Sequence, residues 1–250
     1  MYKKGATTDP AARCPLTPLF RRAIDLLTGC FYTCFQREQG AGQQMKLVVV
    51  GGQARKVGKT SVIVGLIRGL HTLAWTAVKI SHHAGDVGPQ GTPWADDLPA
   101  HLDFLLSEET DPEGHRDTSL YLAAGARRAL WLRARGGRLA QALPELLKAL
   151  EGDEHVIMES NSLLAFVKPA IFLFVMDEAR GELKASARQF LPRADALVTM
   201  GAKAKGRVWP GISLRMPEDK LVFPVLPGEW SNAALCRFVG ERLASVGGSL

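Results

Sequence analysis

Cysteine is scarce in this chain, and its spacing argues against a cysteine-based metal site. The four cysteines among the 250 residues are Cys14, Cys30, Cys34 and Cys236, and none of them forms a C-x-x-C pair. Cys30 and Cys34 would share one face of a helix, but two thiols alone do not make a zinc site. We therefore predict a protein of the reducing cytoplasm.

Long apolar runs are also missing. The longest, from Leu163 to Met176, is interrupted by Lys168 and Pro169 and so does not reach the roughly 18 apolar residues that a membrane span requires. The stretch from Leu16 to Phe35 contains arginines and an aspartate, which a secretory signal would not have in its apolar part. Neither a membrane span nor a secretory signal is predicted.

The excess of positive over negative charge is small. Lysine and arginine number 31 against 25 acidic residues, which gives a net charge of +6, and about half of this excess lies in residues 1–44. Mild basicity suits a ligand that contains phosphate. No nucleic-acid-binding motif accompanies it, so nucleic acid is not an expected partner.

What the chain does contain is a strand, a glycine loop and a helix in succession between residues 46 and 70. Lys46 to Val50 is a short β-branched run typical of a buried strand, and two glycines follow it. Gly58 then precedes Lys59 and Thr60, after which apolar residues recur at helical spacing. This context is the one in which a Gly-Lys-Thr sequence predicts a phosphate-binding loop.

The physical reason is that glycines let backbone N–H groups approach an anion at the start of a helix. Lys59 would reach the β- and γ-phosphates of ATP or GTP, the Thr60 hydroxyl would bind Mg²⁺, and Ser61 would lie near the α-phosphate. A glycine turn without any ligand is the alternative. The predicted nucleotide-binding residues are Gly52, Gln53, Ala54, Arg55, Lys56, Val57, Gly58, Lys59, Thr60 and Ser61.

The loop is longer than the common G-x-x-x-x-G-K-[ST] form, which would place a glycine at Gln53. Five residues separate Gly52 from Gly58, and this spacing resembles the loops of dethiobiotin synthetase and the cobyrinic acid synthase group, which belong to the SIMIBI class of P-loop proteins. The lysine that marks the ParA/MinD branch of that class would fall at Ala54, which disfavours that branch.

Strand-like and helix-like segments alternate from residue 46 onward, which predicts an α/β fold with a mostly parallel sheet between two helix layers. We treat residues 1–45 as a separable extension, either a docking helix with a linker or a segment upstream of a start at Met45, and residues 46–250 as the P-loop domain. Residues 84–116 are predicted to be irregular. The predicted strands are 46–50, 75–81, 128–132, 155–159, 170–175, 194–200 and 221–225, and the predicted helices are 60–70, 117–124, 137–150, 182–191 and 230–246. Asp117 is the expected N-cap of the second helix.

Several polar residues follow predicted strands and can meet at the carboxyl edge of such a sheet. Glu159 ends a buried strand, so we predict that it contacts Mg²⁺ or its water shell and, with Lys59, takes part in catalysis. Asp86 is a second candidate for Mg²⁺, and Asp177 also follows a strand. Ordinary loop or ion-pair roles are the alternatives for these acids. His82 and its neighbour His83 could bind metal or phosphate, or be simple loop residues.

Three further segments resemble molybdopterin-guanine dinucleotide biosynthesis protein B. They are VKISHH at 78–83, DTSLYLAAGARRALWL at 117–132 and VIMESNSLL at 156–164. The resemblance implies a SIMIBI P-loop fold, binding of GTP or ATP, a role in cofactor biosynthesis and a homodimer. The residues that match its motifs are Gly58, Lys59, Thr60, His82, Asp117 and Glu159.

Three functions are compatible with these patterns. The first is Mg²⁺-dependent binding and slow hydrolysis of a nucleoside triphosphate. The second is an ATP-dependent ligase or amidotransferase that activates a carboxylate, as in dethiobiotin synthetase. The third is a non-catalytic adaptor in which residues 84–116 become ordered when nucleotide binds. The second, small-molecule substrate is not specified by any motif.

Overall fold

The structure is a computed structural model of the chain. It describes residues 45–83, 98–99, 101–177, 179–181, 183–201, 220–226, 229–230 and 232–246, with His82 and His83 described for their backbone only. The predictions for the extension 1–44 and for Asp86 lie outside the described residues.

One sheet of eight strands organises the described chain. In order along the sheet the strands are β3-β4-β2-β5-β1-β6-β7-β8, and every neighbouring pair is parallel except β3 with β4. The strands are β1 (Lys46–Gly52), β2 (Thr76–His83), β3 (Phe104–Glu108), β4 (Arg128–Arg135), β5 (His155–Glu159), β6 (Ile171–Asp177), β7 (Ala196–Met200) and β8 (Leu221–Val225).

Helices cover both faces of this sheet, which gives three layers. Two apolar clusters lie between the layers, one under α1, α2 and α5 and the other under α3 and α4. The predicted α/β fold with a mostly parallel sheet is therefore confirmed. The helices are α1 (Lys59–Gly69), α2 (Asp117–Ala123), α3 (Leu139–Ala149), α4 (Ala185–Phe190) and α5 (Ala233–Ser245).

Strand β1 lies inside the sheet, between β5 and β6, and this position explains its composition. Val48, Val49 and Val50 are fully buried because both faces of the strand are covered. A nearly continuous apolar run is typical of such a parallel strand. The glycine loop follows the carboxyl end of β1 and therefore lies near the middle of the carboxyl edge of the sheet.

Four local predictions need correction. Residues 84–116 are not irregular throughout, because Phe104–Glu108 forms the antiparallel edge strand β3 along β4. Strand β2 includes His82 and His83, which pair with Ala134 and Arg135, so these histidines do not follow the strand. Asp117 is the first residue of α2 rather than its N-cap, which is Arg116. Helix α4 begins at Ala185 rather than at residue 182, after an extended Lys184.

None of the helices in the described part of the chain is long and apolar enough to cross a membrane.

Candidate functional site

The glycine loop joins β1 to α1 and leaves the start of α1 open to an anion. The first bond inside the helix runs from the Val62 N–H to the Gly58 carbonyl at 3.0 Å, so the N–H groups of residues 59–61 have no partner within the helix. The first turn contains no acidic residue. Gly58 has φ of 95°, and a Cβ there would lie 2.8 Å from Met200 Cε, so glycine is required both for conformation and for space.

Lys59 is folded back across the loop. Its ammonium group donates to the Ala54 carbonyl at 3.1 Å and lies 3.5 Å from Glu159 Oε1. Gly52 provides the space for this path, because a Cβ at that position would lie 3.0 Å from Lys59 Cγ and Cδ. Burial lowers the pKa of Lys59, and the charge of Lys79 lowers it further, although Glu159 opposes the change. The Lys59 ammonium thus lies beside the open helix start, in contact with one carbonyl and one carboxylate.

Gln53, which stands where the common motif has glycine, fixes the loop to the end of β6. It is fully buried, its side-chain amide donates to the Arg180 carbonyl at 2.6 Å, and its side-chain oxygen accepts from the Asp177 N–H at 3.0 Å. Its backbone N–H also donates to the Val175 carbonyl at 3.0 Å. Its carbonyl accepts from the Lys184 N–H at 3.2 Å, so both the side chain and the backbone of Gln53 are occupied in holding the loop.

Glu159, at the end of β5, is the buried centre of the site. Only 4% of the residue is exposed, and four side chains surround its carboxylate. Thr60 Oγ1 and the Tyr121 hydroxyl donate to Oε2 at 3.0 and 2.8 Å, while Lys79 Nζ lies 2.6 Å from Oε1. Burial alone would raise the pKa of Glu159, but the charges of Lys79 and Lys59 outweigh it and lower that pKa below its ordinary value.

Lys79 and Asp117 extend this cluster toward α2. The Lys79 ammonium bridges Glu159 at 2.6 Å and Asp117 Oδ2 at 2.7 Å. Burial by itself would lower the pKa of Lys79, but the two carboxylates raise it above its ordinary value. With Lys59, the cluster contains two cations and two anions, so its charge is balanced before any ligand is present.

Tyr121, on α2, donates to the same oxygen of the Glu159 carboxylate as Thr60 does. Burial, and then the negative charges of Glu159 and Asp117, raise the pKa of Tyr121 well above its ordinary value. Its hydroxyl therefore stays protonated and acts as a donor. Neither Tyr121 nor Lys79 was predicted as a site residue from sequence, although a single lysine within the apolar strand β2 was a usable signal.

Asn161 secures the loop from the β5 side. Its side-chain oxygen accepts from the Gly52 N–H and its side-chain amide donates to the Gly52 carbonyl, each at 2.8 Å. The close approach of this side chain, together with Phe172, leaves no room for a Cβ at Gly51. Asn161 thus positions the loop.

The other predicted loop residues have simpler environments. Ala54 and Val57 are buried, Arg55 and Lys56 are exposed, and Ser61 follows Thr60 in the first turn of α1. Asp177 does not join the cluster around Glu159. Its carboxylate accepts from the Ala179 N–H at 3.0 Å and from Arg180 Nε at 3.1 Å, which stabilises the turn after β6.

The donor set at Thr60 and Glu159 fits Mg²⁺. Adjacent ligands in an octahedron with bond lengths of about 2.0–2.1 Å lie about 2.9 Å apart. Thr60 Oγ1 and Glu159 Oε2 lie 3.0 Å apart, which matches such an edge. Among the described residues, no three His, Cys, Asp or Glu side chains come together. One carboxylate and one hydroxyl are an adequate protein contribution when phosphates and waters supply the remaining ligands.

Comparison with known proteins gives a fold but no family. No protein-family model matches the chain, and no curated protein matches it. A HypB structure from Helicobacter pylori in complex with nickel matches at 13% identity with a TM-score of 0.50. The match covers 91% of this chain and 98% of the HypB chain. The chain has the fold of a P-loop NTPase.

Two further solved structures show weaker likeness. One, an LAO/AO transport system kinase, matches at 13% identity with a TM-score of 0.43 and covers 94% of this chain and 69% of its own. The other is an LpxK from Aquifex aeolicus in complex with ATP, at 15% identity and a TM-score of 0.41. The match covers 82% of this chain and 64% of the LpxK chain. In this chain the glycine loop and Glu159 lie at the carboxyl edge of the sheet, where β1 and β5 end.

Proposed function

We propose that this protein binds ATP or GTP together with Mg²⁺ and hydrolyses the nucleotide slowly. The observation that supports this best is the meeting of Lys59, Thr60 and Glu159 at the start of α1, directly after a glycine loop. Open N–H groups, a buried lysine and a metal-compatible oxygen pair occur together there. Each is a common feature alone, but a triphosphate with its metal ion requires all three.

The residues of the cluster have distinct roles in this proposal. The open N–H groups at the start of α1 and the Lys59 ammonium bind the phosphates, with Lys59 exchanging the Ala54 carbonyl for phosphate oxygens. Thr60 and Glu159 would hold Mg²⁺, which neutralises charge on the β- and γ-phosphate oxygens. The Gln53 and Asn161 side chains keep the loop in shape, so little reorganisation is needed on binding.

Lys79 and Tyr121 contact Glu159 and influence the bound phosphates only indirectly, through the charge and orientation of that carboxylate. Lys79 supplies a second positive charge beside that carboxylate, and the Tyr121 hydroxyl fixes the orientation of Oε2. Because Glu159 is ionised and held in place, it would hold the metal ion or orient an attacking water without moving. We treat Tyr121 as a positioning residue.

The pathway is proposed from the sequence resemblance. The segments at 78–83, 117–132 and 156–164 resemble molybdopterin-guanine dinucleotide biosynthesis protein B, and they contain Lys79, Asp117, Tyr121 and Glu159. Hydrogen bonds and ion pairs join these four side chains. On the basis of the resemblance, we propose a role in cofactor biosynthesis and a homodimer.

The test is the loss of triphosphate binding in Lys59→Ala. Hydrogen bonds to charged groups contribute about 1.5–3 kcal/mol, so we expect Mg·ATP or Mg·GTP affinity to fall about 10- to 100-fold. Titration calorimetry on the full chain with both nucleotides measures this directly. The matched control is Lys148→Ala, an exposed lysine at the end of α3 on the opposite face of the sheet, which should bind as the parent does.

Equal affinity in Lys59→Ala and the parent protein, with a folded variant by circular dichroism, would reject the phosphate-loop proposal. Loss of affinity in Lys148→Ala as well would show that the effect is one of general charge. Phosphate release in the presence of Mg²⁺, followed in the parent and in Lys59→Ala, decides whether the bound nucleotide is hydrolysed.

A further inference from the structure

A row of polar and aromatic residues crosses the sheet beside the phosphate loop. Strand pairing aligns Glu159 of β5 with Lys79 of β2, Lys79 with Trp131 of β4, and Trp131 with Ser107 of β3. Neighbouring strands are about 4.8 Å apart, so the Cα atom of Trp131 lies about 10 Å from that of Glu159. The row therefore begins at the proposed metal site and ends at the edge strand.

The part of this row farthest from the loop forms what we call the Trp131 shelf, defined by Ser81, Ser107, Arg116, Trp131 and Arg133. The Arg133 guanidinium lies 4.5 Å from the centre of the Trp131 ring, and that of Arg116 lies 5.7 Å from it. Trp131 Nε1 donates to Ser81 Oγ at 3.0 Å, and Arg133 Nη2 donates to Ser107 Oγ at 3.3 Å. The ring and both guanidinium groups are thus held in defined positions.

The shelf interrupts an otherwise apolar face. On this side of the sheet Ala77 and Ala129 pack in the core beneath α2, with Tyr121. Two residues further along β4, the same face presents Trp131, which is half-buried and lies outside both core clusters of the described chain. Beyond the start of α2, the chain places indole and guanidinium groups where continued helix packing would need small apolar ones.

Cationic side chains are concentrated at the shelf and beside it. Lys79 adjoins the shelf in the row and pairs with Glu159 at 2.6 Å and Asp117 at 2.7 Å, and Arg116 pairs with Glu109 at 3.8 Å. A flat aromatic surface combined with guanidinium groups suits a ligand that has both a planar ring and an anionic group.

We propose that the Trp131 shelf binds a small, planar, anionic molecule beside the triphosphate. Its ring stacks against Trp131, and its phosphate or carboxylate pairs with Arg133 and Arg116. This proposal rests on the proposed function only for the presence of a neighbouring triphosphate. It names the second substrate of that site by chemical class.

The test uses 1-naphthyl phosphate and 1-naphthoate as probes on the full-length protein saturated with Mg²⁺ and a non-hydrolysable ATP analogue. Binding is followed by naphthalene fluorescence, with inorganic phosphate and 1-naphthol as probes that lack the ring or the anion. We expect at least one ring-bearing anion to bind at least tenfold more tightly than either fragment. The phosphate and carboxylate probes distinguish the two kinds of anion.

Variants locate the probe on the protein. Trp131→Leu and Arg133→Gln should each weaken its binding at least tenfold, whereas Trp131→Phe should keep most of it because a ring remains. The matched controls are Trp230→Leu and Arg68→Gln, a second tryptophan–arginine pair, 5.2 Å apart, in the groove between α1 and α5. These two variants should bind the probe as the parent does.

Lys59→Ala separates this proposal from the phosphate-loop proposal. If that variant loses nucleotide but keeps the probe, both proposals stand, and if it keeps nucleotide, only the phosphate-loop proposal fails. If the ATP analogue displaces the probe and Lys59→Ala abolishes its binding, the probe occupies the phosphate loop and the shelf proposal is wrong. It is equally wrong if probe affinity is unchanged in folded Trp131→Leu and Arg133→Gln.

Discussion

Glu159 shows how a buried charge is kept ionised until it is needed. Its carboxylate has lost most of its contact with water, a loss that is costly unless nearby donors and cations replace it. Thr60, Tyr121 and Lys79 provide these contacts within 3.0 Å, and Lys59 adds its charge at 3.5 Å. The same residues that stabilise the fold around Glu159 are therefore the ones that could exchange partners when a triphosphate arrives.

We expect Glu159→Gln to be less stable than the parent at neutral pH by about 1–3 kcal/mol, because an amide leaves the buried charges of Lys79 and Lys59 poorly compensated. The pKa of Glu159 lies below its ordinary value of 4.5 in the folded state, so its ionised form stabilises the fold. That contribution is complete above the ordinary pKa and is lost as the pH falls through the folded-state pKa. Urea unfolding of both proteins at several pH values between about 7 and about 3 measures the difference in the free energy of unfolding.

The stability difference should shrink in the acid part of this range. A difference that stays constant with pH would show that Glu159 is not the titrating group. For function, Glu159→Gln should still bind nucleotide while Mg²⁺ dependence or phosphate release falls, because the shape remains and the charge is lost. Glu145→Gln, an exposed acid on α3, is the matched control and should change neither property.

At the scale of elements, the loop between β1 and α1 is held by side chains from two neighbouring strand ends. Gln53 ties it to the turn after β6, and Asn161 ties it to the end of β5. A loop with one residue more than the common form has more backbone freedom to lose on binding. Gln53, standing in the place of the motif's glycine, compensates by fixing the loop to the sheet before the ligand binds.

We expect Gln53→Ala to lower the free energy of unfolding by about 1–3 kcal/mol, because the Asp177 N–H and the Arg180 carbonyl would lose a buried partner. Nucleotide affinity should fall as well, since the loop must then be ordered on binding. Denaturant unfolding and calorimetry measure the two effects. Gln189→Ala, an exposed glutamine on α4, is the control. Unchanged stability in Gln53→Ala would mean that these bonds do not hold the loop.

The sequence predicted some of these elements well for identifiable reasons. The valine run of β1 and the periodicity of α1 are strong local signals, so the strand–loop–helix unit was predicted to within two residues at each end. Strand β3 was missed because Phe104–Glu108 lies in an acid-rich segment, and its strand conformation depends on pairing with β4. The partners of Glu159 from β2 and α2 depend on register, which local patterns do not reveal.

At the scale of the molecule, β1, β5 and β2 bring the site together from distant parts of the chain. Glu159 is 99 residues from Thr60 and 80 from Lys79, and the parallel register makes them neighbours. The alternation of strands and helices predicted this convergence at the carboxyl edge, because parallel strands end on the same side. It did not predict that α2 would add Tyr121 and Asp117, since the contact of a helix with a strand edge depends on packing.

Deleting residues 1–44 should leave nucleotide affinity within about threefold of the parent, or less than about 0.7 kcal/mol. The reason is that every described side chain around Lys59, Thr60 and Glu159 belongs to residues 45–201. The truncated chain should begin at Met45, which is buried, so that the Lys46 N–H keeps its 2.6 Å bond to the Glu154 carbonyl at the start of β1. Calorimetry with Mg·ATP and Mg·GTP gives the affinities, and the rise of Tm with nucleotide, which follows from mass action, gives an independent measure.

A chain that lacks only residues 1–30 is the control for the effect of shortening alone. A tenfold loss of affinity in the chain that begins at Met45, with retained affinity in this control, would place a binding element between residues 31 and 44 and contradict the division of the chain into an extension and a P-loop domain.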